Sequence, residues 1–315
     1  MEKKPLIVLA GPTAVGKTKL SIQLAKLFDA EIISADSMQV YRRMDIGSAK
    51  ITAEEMEGVP HYLVDVLEPE DEFNVVRFQQ MAGEALKKIY AKGKIPLIVG
   101  GTGFYIQALL YDIDFTEDDG DRSYRNMLES KAAAGEGEAL HRMLRECDPA
   151  SAERIHPHNL KRIIRALEYY HQTGQKISEH NERERRKEAP YVSAYFVLTD
   201  DRSRIYERID QRVDRMMDLG LLDEVKALKE SGLPGDATSM QGLGYKELYA
   251  YLDGAYSLEE AVRIIKRDTR HFAKRQLTWF KRERDVIWLD RSVIGEDEML
   301  CETVKEHLRK KKIWK

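Results

Sequence analysis

The chain has 315 residues, 43% of them hydrophobic. That is enough to build a full core, as one large α/β domain with an insertion or as two domains, and it excludes extended disorder. The net charge of −3 argues against a general nucleic-acid coat protein, although a sum hides local patches. Two widely spaced cysteines, Cys147 and Cys301, make neither a disulfide framework nor a four-ligand zinc site. No apolar run reaches signal-peptide or membrane-spanning length, so a reducing cytoplasm and no membrane contact are expected.

In chain order, Leu6 to Ala10 reads as a buried parallel strand. It leads into Gly11-Pro12-Thr13-Ala14-Val15-Gly16-Lys17-Thr18, which fits the phosphate-cradling pattern G-x-x-x-x-G-K-[ST]. Leu20, Leu24, Leu27 and Phe28 then recur at helical spacing, so the strand–loop–helix context is present. The glycines let backbone N–H groups converge on one anion, Lys17 adds a charge, and Thr18 offers a hydroxyl to Mg2+. A polyphosphate ligand follows; which one, and which bond breaks, does not.

A second strand, Glu31 to Ala35, closes on Asp36-Ser37-Met38-Gln39. Ligands sit at that edge of a parallel sheet, and a carboxylate there can hold magnesium, orient a nucleophile or take a proton. Alternatively, Asp36 is a helix N-cap. A third strand is expected over Tyr62 to Leu67. A core-facing helix follows through Val75, Phe78, Ala82, Leu86 and Ile89, stopped by Gly93. Ile95 to Val99 is another buried strand, followed by Gly100-Gly101-Thr102-Gly103. Glycines let a substrate approach the backbone, or simply make a turn. The acidic residue that ends this strand in a standard ATPase is missing.

An acidic run, Asp112, Asp114, Glu117, Asp118, Asp119 and Asp121, marks a change of character. Leu160, Ile163, Ile164 and Leu167 predict a helix started by Pro157 and ended before Gly174. A strand returns at Ala194 to Leu198, followed by a helix with Ile205, Ile209, Val213 and Met216 on one face and Arg204, Arg208, Arg212 and Arg215 on a stripe. The stripe suits a lid over phosphate, or a solvated face paired with Glu207, Asp210 and Asp214. A capping box, Ser257 and Glu260, opens a C-terminal helix, and a last strand is expected at Val286 to Leu289. The fold class is therefore α/β, a P-loop-type parallel sheet flanked by helices, in residues 1–112 and 191–315, with an inserted all-helical domain over 113–190.

Two stretches depart from neutrality. Arg154 to Lys187 holds nine Lys/Arg against four Glu, and Arg263 to Arg284 holds nine against Asp268 and Glu283. Tyr169, Tyr170, Phe272, Trp279 and Phe280 interleave with these bases, a pattern that suits folded RNA, or a charged exterior over an apolar core.

GPTAVGKT, ISADSMQVY, GGTGFY, ERIDQRVDRM, GLGYKEL and AKRQLTWF, in this order from Val8 to Trp288, resemble the bacterial tRNA dimethylallyltransferase family. The eukaryotic relatives add a C-terminal zinc finger with no counterpart here, which fits a bacterial form. The resemblance implies transfer of a dimethylallyl group from dimethylallyl diphosphate to N6 of adenosine 37 in the anticodon stem-loop of tRNA, with release of diphosphate. It implies that Gly11 to Thr18 grips that diphosphate, with Mg2+ on Thr18. Arg208 or Arg212 would neutralise the leaving group, Asp36 would act as base, and Thr102 would lie near the reacting centre. It implies RNA contacts from Asp36, Ser37, Met38, Gln39 and Thr102. Asn159, Leu160, Lys161, Arg162 and Ile163 would meet the anticodon stem, and Arg270, Lys274, Arg275 and Gln276 would line a second RNA wall. A monomer is expected. Three rivals stay open: a P-loop small-molecule kinase, an isopentenyltransferase acting on free AMP or ADP, and an RNA-binding ATPase switch.

Overall fold

The computed structural model describes residues 3–115 and 123–314, which group into two compact units, Met1–Leu110 with Ala189–Lys315, and Tyr111–Glu188. Glu117, Asp118, Asp119 and Asp121 of the acidic run lie outside the described residues.

The first unit is built on six parallel strands in the order β3-β2-β4-β1-β5-β6. They are β1 (Lys4–Ala10), β2 (Ala30–Ala35), β3 (His61–Tyr62), β4 (Ile95–Gly100), β5 (Tyr191–Thr199) and β6 (Val286–Asp290). Residues 6–10 of β1 and all of β2 are buried, so both faces of the sheet must be covered, as continuous apolar runs require. Between them run α1 (Lys17–Leu27), α2 (Val75–Ala91) and α3 (Gly103–Leu110). Asn74 caps α2 by accepting from Arg77 N.

The expected strand at Tyr62 to Leu67 is a correction. Only His61–Tyr62 pairs with β2; beyond it Leu63 and Asp65 adopt positive φ, 63° and 60°, which an extended strand excludes, and Leu67 makes a lone bridge to Tyr41. Leu63, Val64 and Leu67 are buried all the same, without a ladder.

The second unit contains α4 (Ser123–Ala133), α5 (Gly137–Cys147), α6 (Pro149–Arg154), α7 (Leu160–Thr173) and α8 (Ile177–Arg186). Its core is Leu128, Leu140, Leu144, Ala152, Ile163, Ile164, Ala166 and Leu167. Helix α7 ends on Gly174 at φ 68°, as expected, but starts at Leu160 with Asn159 before it, leaving Pro157 outside. The buried Asp148 caps α6: its carboxylate accepts from Ser151 N and Oγ and from Ser178 N and Oγ at 2.6–3.1 Å.

After β5 the first unit continues with α9 (Arg202–Asp218), α10 (Leu221–Glu230), a single 3-10 turn (Ser239–Gln241), α11 (Tyr245–Leu252) and α12 (Leu258–Phe280). It closes with α13 (Arg291–Ile294) and α14 (Asp297–Lys310). Ile205, Ile209 and Val213 of α9 are buried as the periodicity predicts. Ser257 caps α12 by accepting from Glu260 N, but the Glu260 carboxylate pairs with Arg263, so the capping box is only half formed.

Burial pushes the Asp148 carboxyl up, but the bonds from Ser178 and Ser151 outweigh it and hold the group below the usual carboxylate range. Its stabilisation is therefore complete above the ordinary Asp range and is lost as pH falls through the lowered value. Asp148→Ala is expected to cost about 2–3 kcal/mol, from a lost cap and charge-assisted bonds. Urea unfolding at pH 7 followed by helical circular dichroism measures it, and the difference between variant and parent should shrink in strong acid.

Candidate active site

The loop between β1 and α1 turns through Ala14 at φ 61° and Gly16 at φ 93°, a left-handed geometry that leaves Gly16 as the residue before the helix. Lys17 Nζ folds back and donates to Gly11 O at 3.0 Å and Pro12 O at 2.8 Å. Burial, then the charge of Arg212, lower its ammonium to about 8, with Asp36 pulling the other way. Lys17, Thr18, Asp36 and Arg212 line one cleft of about 910 Å³, within the size range of small-ligand sites.

Asp36 stands just beyond β2. Its Oδ1 accepts from Met38 N at 2.8 Å and Gln39 N at 3.3 Å, making a tight turn. No helix follows, so Asp36 is not a helix N-cap: one oxygen closes this turn, while among the described residues Oδ2 receives no donor. Gln39 spends its amide on the loop itself, with Nε2 donating to Ala49 O at 3.1 Å. Ser37 and Met38 are half-buried.

Gly100 ends β4 opposite Ala35, and a Cβ there would stand 2.1 Å from Ala35 O, so no side chain fits. Packing thus explains why no acidic residue occupies this position. Thr102 is half-buried; its N–H donates to Ala35 O at 3.2 Å, and its carbonyl accepts from Tyr105 N and Ile106 N at the start of α3.

Gln276 lines the cleft and holds two loops together. It is 6% exposed, its Oε1 accepts from Thr13 N at 2.9 Å, and its Nε2 donates to Gly101 O at 3.0 Å. The amide ties the phosphate loop to the glycine loop.

The arginine stripe of α9 divides. Arg204 pairs with Asp200 and Asp201 at the surface. Arg208 donates Nε to Ala14 O at 2.9 Å and Nη2 to Asp200 at 2.7 Å, bracing the loop from outside the cleft lining. Arg212 and Arg215 line the cleft. Burial, then repulsion from Arg208, lower Arg212, against the opposing pull of Asp36 and Glu55. Among the described residues neither Lys17 nor Arg212 forms an ion pair, so the cleft carries uncompensated positive charge that an anion would relieve.

On α12, Arg270 pairs with Asp210 at 2.5 Å and Lys266 with Asp214 at 2.6 Å, so α9 neutralises part of this basic face. Lys274 and Arg275 are exposed without an ion pair among the described residues, and Arg275 lies 5.7 Å over the Phe272 ring. Phe280 is core and Phe272 lines the cleft. In the helical unit, Asn159, Lys161 and Arg162 are exposed and Leu160 is half-buried. Ile163 is 0% exposed, so its side chain supports the core instead of meeting a stem.

No group of three or more His, Cys, Asp or Glu side chains placed to hold a metal occurs among the described residues. The Thr18 hydroxyl and the Asp36 carboxylate are hard oxygen donors in one cleft. Such a sparse set fits Mg2+, which retains waters and draws its remaining ligands from substrate phosphates.

A phosphate loop at the carboxyl edge of a parallel sheet, with surplus cationic charge facing a carboxylate, defines a P-loop-type α/β protein. Residues 39–283 match the family described as IPP transferase, and residues 4–70 match one described as Isopentenyl transferase. The tRNA dimethylallyltransferase of Lachnoclostridium phytofermentans is 62% identical over 99% of this chain and 100% of its own. That of Bacillus licheniformis is 54% identical over 91% of each chain. The full-length tRNA isopentenylpyrophosphate transferase of Bacillus halodurans, a solved structure, is 43% identical, with a TM-score of 0.74 over 99% of this chain and 98% of its own. A eukaryotic dimethylallyltransferase solved acting on tRNA is 32% identical, with a TM-score of 0.84 over 98% of this chain and 79% of its own. The chain belongs to the IPP transferase family.

Lys17 loses its charge as pH rises through about 8. Diphosphate affinity should therefore fall above that pH, by up to about tenfold per unit, and Lys17→Ala should bind weakly at every pH with that slope removed. Isothermal titration with inorganic diphosphate and Mg2+ between pH 7 and 10 checks both.

Proposed function

We propose that this enzyme of the IPP transferase family transfers the dimethylallyl group of dimethylallyl diphosphate to N6 of adenosine 37 in tRNA, releasing diphosphate. One observation carries the assignment of the site: the uncovered Oδ2 of Asp36 shares a cleft with Lys17 and Arg212, two cations with no ion-pair partner among the described residues.

In this reading the amides of Gly11 to Thr18, with Lys17, bind the diphosphate, and Thr18 would hold Mg2+, whose charge further neutralises the leaving group. Arg212, aimed into the cleft, meets the charge that grows on the bridging oxygen as the allylic C–O bond breaks; such help is strongest when the donors are already in place. Arg208 keeps the loop in shape. The adenine amine is a weak nucleophile hidden in a stacked loop, so the base must be turned out into the cleft. The bond from N6 to the allylic carbon forms, the C–O electron pair leaves with diphosphate, and the N6 proton passes to Asp36 Oδ2. Thr102 lies next to the turn that carries Asp36. Lys161 and Arg162, exposed and without an ion pair among the described residues, together with Lys274 and Arg275, are suited to RNA phosphates. A kinase reading is disfavoured by Gly100, which leaves no room for the usual metal-binding acid.

Asp36→Asn is expected to lower turnover by about 10²–10⁴-fold with little change in tRNA affinity. Labelled dimethylallyl diphosphate, offered with unmodified tRNA, AMP or no acceptor, tests the assignment: label should enter only the tRNA. Lys161→Ala with Arg162→Ala should weaken tRNA binding and lower the slope of log affinity against log salt by roughly 1–2. Filter binding across salt concentrations that finds both unchanged removes the helical unit from recognition.

A further inference from the structure

The wall that carries Asp36 is held from outside the cleft by a carboxylate to which no role has been given. Glu224 of α10 accepts three consecutive backbone N–H groups. Oε2 takes those of Asp45 and Ile46, each at 2.8 Å, and Oε1 takes that of Gly47 at 3.1 Å. Oε1 also accepts from the Tyr245 hydroxyl at 2.7 Å. Tyr245 is 0% exposed at the start of α11, and burial, then the charge of Glu224, push its phenol upward, so it remains a donor. A carboxylate saturated in this way is a strong, directional clamp.

The clamped backbone belongs to the cleft. Asp45, Ile46, Ser48 and Ala49 all line it. From Ala49 the connection runs back to the Asp36 turn: Gln39 Nε2 donates to Ala49 O at 3.1 Å, and Gln39 N donates to Asp36 Oδ1 at 3.3 Å. Packing reinforces the hydrogen bonds. A Cβ on Gly47 would lie 2.5 Å from the Tyr245 ring, and one on Gly242 would lie 2.6 Å from Met38 Cε. Glu224 of α10, Tyr245 of α11 and Gly242 just before α11 thus hold residues 38–49 at both ends.

Given Asp36 as the base, we infer that Glu224, seated against Tyr245, is a positioning residue for the acceptor half of the site: it fixes the 45–47 backbone and, through Gln39, the direction of Asp36 Oδ2. The donor half, Gly11 to Thr18 with Arg212, is anchored separately by Gln276 and Arg208. Disturbing Glu224 should therefore impair transfer to tRNA while sparing diphosphate binding. That division distinguishes positioning from general loss of structure.

The test is a double-mutant cycle with the full chain, read by single-turnover transfer to tRNA and by titration with inorganic diphosphate and Mg2+. Glu224→Gln conserves volume but turns one acceptor into a donor facing backbone N–H groups. It should lower the transfer rate by about 10–100-fold, leave the diphosphate Kd within about twofold, and add less than about twofold to the loss already present in Asp36→Asn. Gly47→Ala, which moves the same backbone while leaving both Glu224 and Tyr245 intact, should give the same pattern and stands in should the first variant fail to fold. A wild-type transfer rate in the folded variants overturns the inference, as does a diphosphate Kd that weakens in step with the rate. A Glu224→Gln loss that persists in full on top of a damaging Asp36→Asn overturns it while leaving the base role of Asp36 intact. Wild-type turnover in Asp36→Asn alone defeats that role instead.

Discussion

The site depends on one buried amide. A parallel sheet brings the ends of β1 and β4 side by side, but adjacent strand ends do not by themselves hold their loops in register. Gln276 does so, with its carbonyl oxygen on Thr13 N and its nitrogen on Gly101 O. Each bond is modest in isolation, yet leaving either backbone group unpaired inside the protein would cost about 1–3 kcal/mol. The long helix α12, which packs on α3, α9 and α11, is what carries this amide to its place. The phosphate loop and the glycine loop therefore share one reference frame, and Arg208 adds a second brace through Ala14 O.

Electrostatics follow from that frame. Burial and the charge of Arg212 lower Lys17, burial and the charge of Arg208 lower Arg212, and Asp36 pulls both the other way. Structural ion pairs elsewhere, such as Arg270 with Asp210 or Lys266 with Asp214, leave no such surplus. The contrast separates cations available to a ligand from those already committed to holding α9 against α12.

Much of this was legible in the chain. The phosphate loop, the buried strands and the helical faces are local patterns of spacing, and burial on both sides of a parallel sheet leaves a continuous apolar signature. The contacts that the chain does not reveal share a different property. Gln276 lies 263 residues from Thr13, and Glu224 lies 179 from Asp45. No periodicity marks either, because each is fixed by a single tertiary contact. Nor does a motif record that the Ile163 side chain is buried or that the Gln276 amide bonds two loops, since it marks a residue without recording which way it points. The expected strand after Tyr62 failed for a related reason: apolar residues are buried there by two left-handed kinks, and composition does not encode φ.

The close approach of Gly100 to Ala35 has a steric consequence. In ordinary P-loop ATPases the corresponding strand ends in an aspartate. Here an aspartate cannot be accommodated by substitution at Gly100 alone, because the first side-chain carbon would strike the carbonyl of the adjoining strand at 2.1 Å. Placing one there would require the two strands to slide or part. The spacing of the sheet itself thus excludes that acid, whatever reaction the site performs.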